Sequence, residues 1–140
     1  MRKLSLFLAA FLLSAVSASA AEVTVTMAWM RALPGNLPGA GYFVLRNTGK
    51  ADAVLNGAQS PACGMLMLHK SESANGMSSM SDVQTVAVPA GGKVAFGPGG
   101  YHLMCMEPML KPGTSVPVTL TFSDGTKTNV TFAVKNAAGK

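Results

Sequence analysis

The chain is short of several things that most functional classes need. Of its 140 residues two are histidine, two are cysteine and one is tryptophan, and charged side chains make up 12%. Two histidines cannot furnish an open, His-rich catalytic metal site. No paired carboxylates and no activated nucleophile stand out either, so an enzyme is not expected. The basic residues, among them Arg31, Arg46, Lys70, Lys93 and Lys127, are scattered, with no run and no interleaved aromatic ladder. That pattern excludes a nucleic-acid surface. After residue 21 no segment has helical periodicity of useful length. The one long apolar run, Leu4 to Leu13 broken only by Ser5, is too short to cross a bilayer comfortably, which takes roughly 20 residues.

That run follows Arg2 and Lys3 and precedes Ala18-Ser19-Ala20, a small-x-small cleavage signal. Residues 1–20 therefore read as a signal peptide cleaved near Ala20, which places the mature chain in an exported, oxidising compartment, the periplasm. No stable membrane anchor is expected. No cysteine sits at the cleavage point, so the mature N-terminus is not an obvious lipidation site. Residues 21–140 are one domain's worth of chain. Without Arg2 and Lys3 they carry nine basic residues against six acidic ones, a mild excess of about +3.

What is present is β-forming sequence. Val23–Met27, Gly41–Arg46, Ala53–Leu55, Met65–His69, Asp82–Val88, Lys93–Phe96, Tyr101–Met106, Val116–Phe122 and Thr128–Val134 read as strands, separated by Gly/Pro turns. Ser123-Asp124-Gly125 is a hairpin signal. The pattern predicts an all-β sandwich or barrel of roughly seven to nine strands. Lys135 to Lys140 reads as a frayed polar tail. Trp29 is expected in the core, and Met109 in packing.

The chemistry concentrates in one stretch. Seven of the ten methionines, and both histidines, fall between Met65 and Met109. Core packing gives no reason for methionine to gather around the only two histidines. In Tyr101-His102-Leu103-Met104-Cys105-Met106, strand alternation places His102, Met104 and Met106 on one face and Cys105 on the other. Met65, Met67 and His69 likewise share a face. Imidazole and thioether together form a soft donor set that suits Cu(I) better than Zn(II), Mg(II) or Ca(II). Asn75-Gly76 is a turn signal between His69 and Met80. Met77 is a spare sulfur or a loop contact, and Met106 either backs the donors or packs. The two cysteines, Cys63 and Cys105, suggest a disulfide. Free buried thiols and a copper-ligating Cys105 remain alternatives, the latter disfavoured by alternation.

The candidate donors follow in order as His69, ten residues, Met80, twenty-one residues, His102, one residue, Met104. This spacing resembles the His-x10-Met-x21-His-x-Met motif of the periplasmic PCu(A)C copper chaperones, whose fold is a cupredoxin-like β-sandwich. Ala28-Trp29-Met30-Arg31-Ala32, Leu45-Arg46-Asn47, Ser60-Pro61-Ala62 and Val88-Pro89-Ala90-Gly91-Gly92 are similar too, so the resemblance covers nearly all of 21–140. It implies that His69, Met80, His102 and Met104 hold Cu(I). It also implies that the ion goes to an acceptor protein, a cytochrome c oxidase subunit under assembly or a second metallochaperone. Lys70 stands where many members have a further Met. The tail lacks the Met/His-rich extension that some members carry. Alternatives are a blue-copper-like electron carrier, which needs a Cys thiolate with two His, a periplasmic copper-resistance or buffering protein, and a purely structural β-domain.

Overall fold

The computed structural model describes residues 21–140; the signal-peptide reading of 1–20 lies outside the described residues. Ten strands follow in order: β1 (Val23–Arg31), β2 (Gly39–Asn47), β3 (Ala53–Gln59), β4 (Cys63–Ala74), β5 (Met77–Asp82), β6 (Val86–Val88), β7 (Lys93–Phe96), β8 (Tyr101–Pro108), β9 (Ser115–Phe122) and β10 (Lys127–Lys135). They join one hydrogen-bonded sheet in the order β5-β4-β8-β2-β1-β10-β9-β3-β6, with β7 on β2. The sheet rolls onto itself, so that β3 packs against β4 and β6 against β2 although neither pair is hydrogen-bonded. The result is a sandwich whose two layers share one core.

Alternation decides which side chains fill that core. β2 turns Phe43 and Leu45 inward, β8 turns Leu103 and Cys105 inward, and β9 turns Val116, Val118, Leu120 and Phe122 inward. The Phe43 ring stacks on Phe96 and meets Phe132 edge-on. Burying such side chains contributes roughly 1.5–3 kcal/mol each. Asn47 is buried among them with its hydrogen bonds made. Its amide donates to the carbonyls of Ala51 and Val88, and its Oδ1 accepts from Glu22 N and Gly49 N. It thereby fastens the end of β2 to the loops on either side. In the β9–β10 turn, Asp124 Oδ1 accepts from Thr126 Oγ1 at 2.7 Å and Thr126 N at 2.9 Å. These bonds hold the Asp124 carboxyl below its usual range.

Five expectations are corrected. Among the described residues there are ten strands rather than roughly seven to nine. The stretch Asp82 to Val88 is not one strand, because Asp82 ends β5 on one sheet edge and Val86–Val88 forms β6 on the other. Trp29 is half-buried on the outer face, between the Arg31 and Lys135 cations and against Tyr42, instead of in the core. The tail after Lys135 is turned rather than frayed, with Asn136 Oδ1 accepting from Ala138 N and Lys140 N. Met109, expected in packing, is 71% exposed.

The cysteines form a disulfide, Cys63–Cys105, which ties β4 to β8 across a sequence separation of 42. Closing a loop of that length restricts the unfolded chain by about 4 kcal/mol in the chain-entropy model. No free cysteine remains.

Candidate metal centre

Strand register lays the candidate donors out on the outer face of the layer containing β5, β4, β8, β2 and β1. In β4–β8, His69 stands opposite His102, Met67 opposite Met104 and Met65 opposite Met106. In β4–β5, Asp82 stands opposite His69 and Met80 opposite Ser71. On the far side of β8, Met104 pairs with Ala40 and Leu103 with Gly41, so Tyr42 comes level with His102. Tyr42 in turn pairs with Trp29, and Ala40 with Arg31. One row therefore crosses five strands: Trp29, Tyr42, His102, His69, Asp82. A Cβ at Gly41 would stand 3.0 Å from the Met30 sulfur and 3.1 Å from Leu103, so the glycine lets β2 lie close to β8 beneath this row.

An outward His on a sheet is normally wet, yet His102 is only 4% exposed. Leu33 and Pro38 from the β1–β2 loop and Pro98-Gly99 from the β7–β8 loop build up the walls around it. They enclose a cavity of about 280 Å³ that His102, Met104, Met80, Tyr42 and Arg31 also line. Larger clefts of about 430 and 460 Å³ contain neither histidine nor a pair of thioethers, so donor chemistry rather than size marks the site.

Three of the four expected donors, Met80, His102 and Met104, thus share one cavity. The fourth, His69, does not line it. Its ring stands behind that of His102, edge to face, with centroids 5.7 Å apart. His102 Nδ1 lies 3.1 Å from the Gly100 carbonyl. A carbonyl only accepts, so Nδ1 carries the proton and Nε2 keeps the free lone pair. His69 is 11% exposed at its side chain, and its Nε2 lies 2.7 Å from Asp82 Oδ1. Asp82 thus occupies Nε2, whereas Nδ1 is enclosed and has no hydrogen-bond partner among the described residues. Enclosed polar atoms normally do. A metal ion is one partner that an unpaired imidazole nitrogen accepts.

The donor set is soft. Among the described residues no group of three or more His, Cys, Asp or Glu converges, which a zinc or hard-cation site would require. The cysteines supply no thiolate, so the copper-ligating Cys105 alternative fails. Lys70 alternates away from His69. Its ammonium pairs with Glu72 at 3.0 Å and lies over the Tyr101 ring, and the Glu72 hydrogen bond and charge hold it above the usual lysine range.

Sequence reading missed Tyr42, Arg31 and Asp82 as neighbours of the donors. The Arg31 guanidinium lies 5.3 Å from the centroids of both the Trp29 and Tyr42 rings, and its Nη1 donates to Tyr42 Oη at 3.3 Å.

Comparison with known proteins adds a family. The LpqE-like model, "Putative lipoprotein LpqE-like", matches residues 23–134. "Putative lipoprotein Lxx21020" of Leifsonia xyli subsp. xyli is 35% identical over 120 residues, 84% of this chain and 72% of that one. Among solved structures, a copper-bound PCuAC domain from PmoF2 has a TM-score of 0.68 at 20% identity, covering 86% of this chain and 99% of that one. The Cu(I) form of DR1885 from Deinococcus radiodurans has a TM-score of 0.64 at 30% identity, covering 82% and 80%. The fold is therefore that of PCuAC domains, as the motif spacing implies.

Proposed function

The chain belongs to the LpqE-like family, and from that premise we propose that it is an exported copper chaperone. It takes up Cu(I) through His69, Met80, His102 and Met104 in the periplasm, as a single domain over residues 21–140, and hands the ion to an acceptor protein. The observation that carries this reading is the placement of His69 directly across β4–β8 from His102, with His69 Nδ1 enclosed and unpartnered and two thioethers lining the cavity at His102. The copper-loaded PCuAC domain and the Cu(I) form of DR1885 support copper as the cargo.

Two imidazoles and two thioethers are all neutral, so no donor offsets the ion's charge. Such a set favours the monovalent ion and releases it more readily than thiolates do. Met80 suits release, because it is 52% exposed and belongs to an edge strand exposed along its whole length. The electron-carrier alternative lacks its thiolate, since Cys63 and Cys105 are bonded to each other. For the same reason the lipoprotein description of its relatives does not extend to either cysteine. The acceptor is a cytochrome c oxidase subunit under assembly or a second metallochaperone.

The test is an anaerobic Cu(I) titration against a competing chelator, with X-ray absorption to count nitrogen and sulfur neighbours. One equivalent bound by two nitrogens and two sulfurs is expected. Equal competition by Zn(II) would overturn the soft-site argument.

A further inference from the structure

Three methionines share the outer face with the four donors and have no part in that site: Met65, Met67 and Met106. Met65 stands directly opposite Met106, and Met67 directly opposite Met104. Core filling, the usual reason for methionine, does not account for them. The core residues of these two strands are Cys63, Leu66, Leu68, Leu103 and Cys105. Met65, by contrast, is 57% exposed, and Met67 and Met106 are half-buried on the opposite face. Cβ atoms of directly opposed residues lie about 5 Å apart and those of diagonal neighbours about 7–8 Å. A methionine side chain has three rotatable bonds. The sulfurs of Met65, Met106 and Met67 can therefore converge on one ion above the sheet.

We propose that these three thioethers form a second station for a soft monovalent cation, Cu(I) in the exported chain, one rung beyond the four-donor site. The inference rests on the copper-carrier reading and extends it. Three neutral sulfurs without an imidazole bind more weakly than the His/Met set, so the station fills second. Met67 shares its rung with Met104. When the inner site is empty, an ion held there moves inward by exchanging one thioether for another. A bond from copper to Met65 sulfur breaks as one to Met104 sulfur forms, the copper stays Cu(I), and no proton or electron is transferred. The station is thus an entry or exit step for the same cargo.

The test is an anaerobic Cu(I) titration of protein carrying methyl-labelled methionine, followed by NMR and repeated on a Met65→Leu/Met67→Leu/Met106→Leu variant. Leucine keeps the volume and removes the sulfur. In the parent, the first equivalent should shift the Met80 and Met104 methyls. A second, binding about 10–100-fold more weakly, should shift Met65, Met67 and Met106 and leave the exposed Met27, Met77 and Met109 in place. The triple variant should bind one equivalent with parental affinity. A parent that binds one equivalent only overturns the station and leaves the carrier reading standing. So does a second equivalent retained by the variant, or one that moves the Met27, Met77 and Met109 methyls equally. Absence of the first phase overturns the carrier reading and the station with it.

Discussion

At the scale of single residues, the two histidines differ in what fixes them. His102 has its Nδ1 proton committed to the Gly100 carbonyl, which leaves Nε2 as the donor atom. His69 has a carboxylate at 2.7 Å from Nε2, so Nδ1 is the ring nitrogen that would face a metal. Outer partners of this kind typically matter by about 10–100-fold in metal affinity. Asp82→Asn is therefore expected to weaken Cu(I) binding by about tenfold at unchanged stoichiometry, as read by chelator competition. A rise in affinity would mean that Asp82 competes with the metal instead of orienting its ligand. Protons separate the two donor types further. Imidazole binds metal only when neutral, whereas a thioether has no proton to lose, so protons compete with the metal only at the histidines. Changing His69 or His102 to Ala should weaken binding and lessen its pH dependence. Met80→Leu and Met104→Leu should weaken binding and leave that dependence intact, while Met109→Leu, far out in solvent, should do neither.

At the scale of elements, the hairpin β4–β5 joins sequence to site most directly. Asn75 and Gly76 adopt φ of 54° and 75°, the two positive values that a two-residue type I′ turn requires. Once those residues are the turn, every pairing follows from equal distance to it, so the turn signal fixes Asp82 opposite His69, a neighbour that sequence reading missed. β5 is an exposed edge strand with no core residue of its own, and such strands open at low free energy. If Met80 is a donor, copper closes that opening. Amide hydrogen exchange over residues 77–82 is expected to be fast in the metal-free protein and to slow at least tenfold with Cu(I); unchanged exchange would take Met80 out of the site. Other elements were less legible for identifiable reasons. Val23 and Val25 pack on the core, and continued alternation points Trp29 inward as well. A bulge at Met27, with φ of 56° and a register shift between Thr26 and Trp29, reverses the phase, sending Met30 inward and Trp29 out. Nothing local in the sequence announces it. Tyr42 and Arg31 reach the site only because β2 and β1 follow β8 in the sheet, a long-range pairing that no short window encodes. The His/Met clustering and its spacing were legible because metal chemistry restricts which residue types can serve.

At the scale of the whole molecule, one covalent link joins stability to the site. Cys63 lies on β4 and Cys105 on β8 between Met104 and Met106, and their bond fastens the two strands whose register sets His69 against His102. On the inner side Cys105 is fully buried, so the link belongs to the core while the donors occupy the opposite face. Paired substitution Cys63→Ala/Cys105→Ala relaxes the unfolded chain by about 4 kcal/mol in the chain-entropy model. For a domain of this size that corresponds to a fall in Tm of roughly 10–20 °C. The folded variant keeps the β4–β8 hydrogen bonds and the inward Leu66, Leu68 and Leu103, so the register should persist at 25 °C. Cu(I) affinity there is accordingly expected to stay within about threefold of the parent, even though the melting point drops. Calorimetry with and without one equivalent of Cu(I) separates the two effects, because a ligand that binds only the folded state raises Tm in both proteins. If the variant melts lower and also loses Cu(I) binding at 25 °C while still folded, then the disulfide holds the donor geometry itself. If it melts where the parent does, the loop-closure account of the disulfide fails.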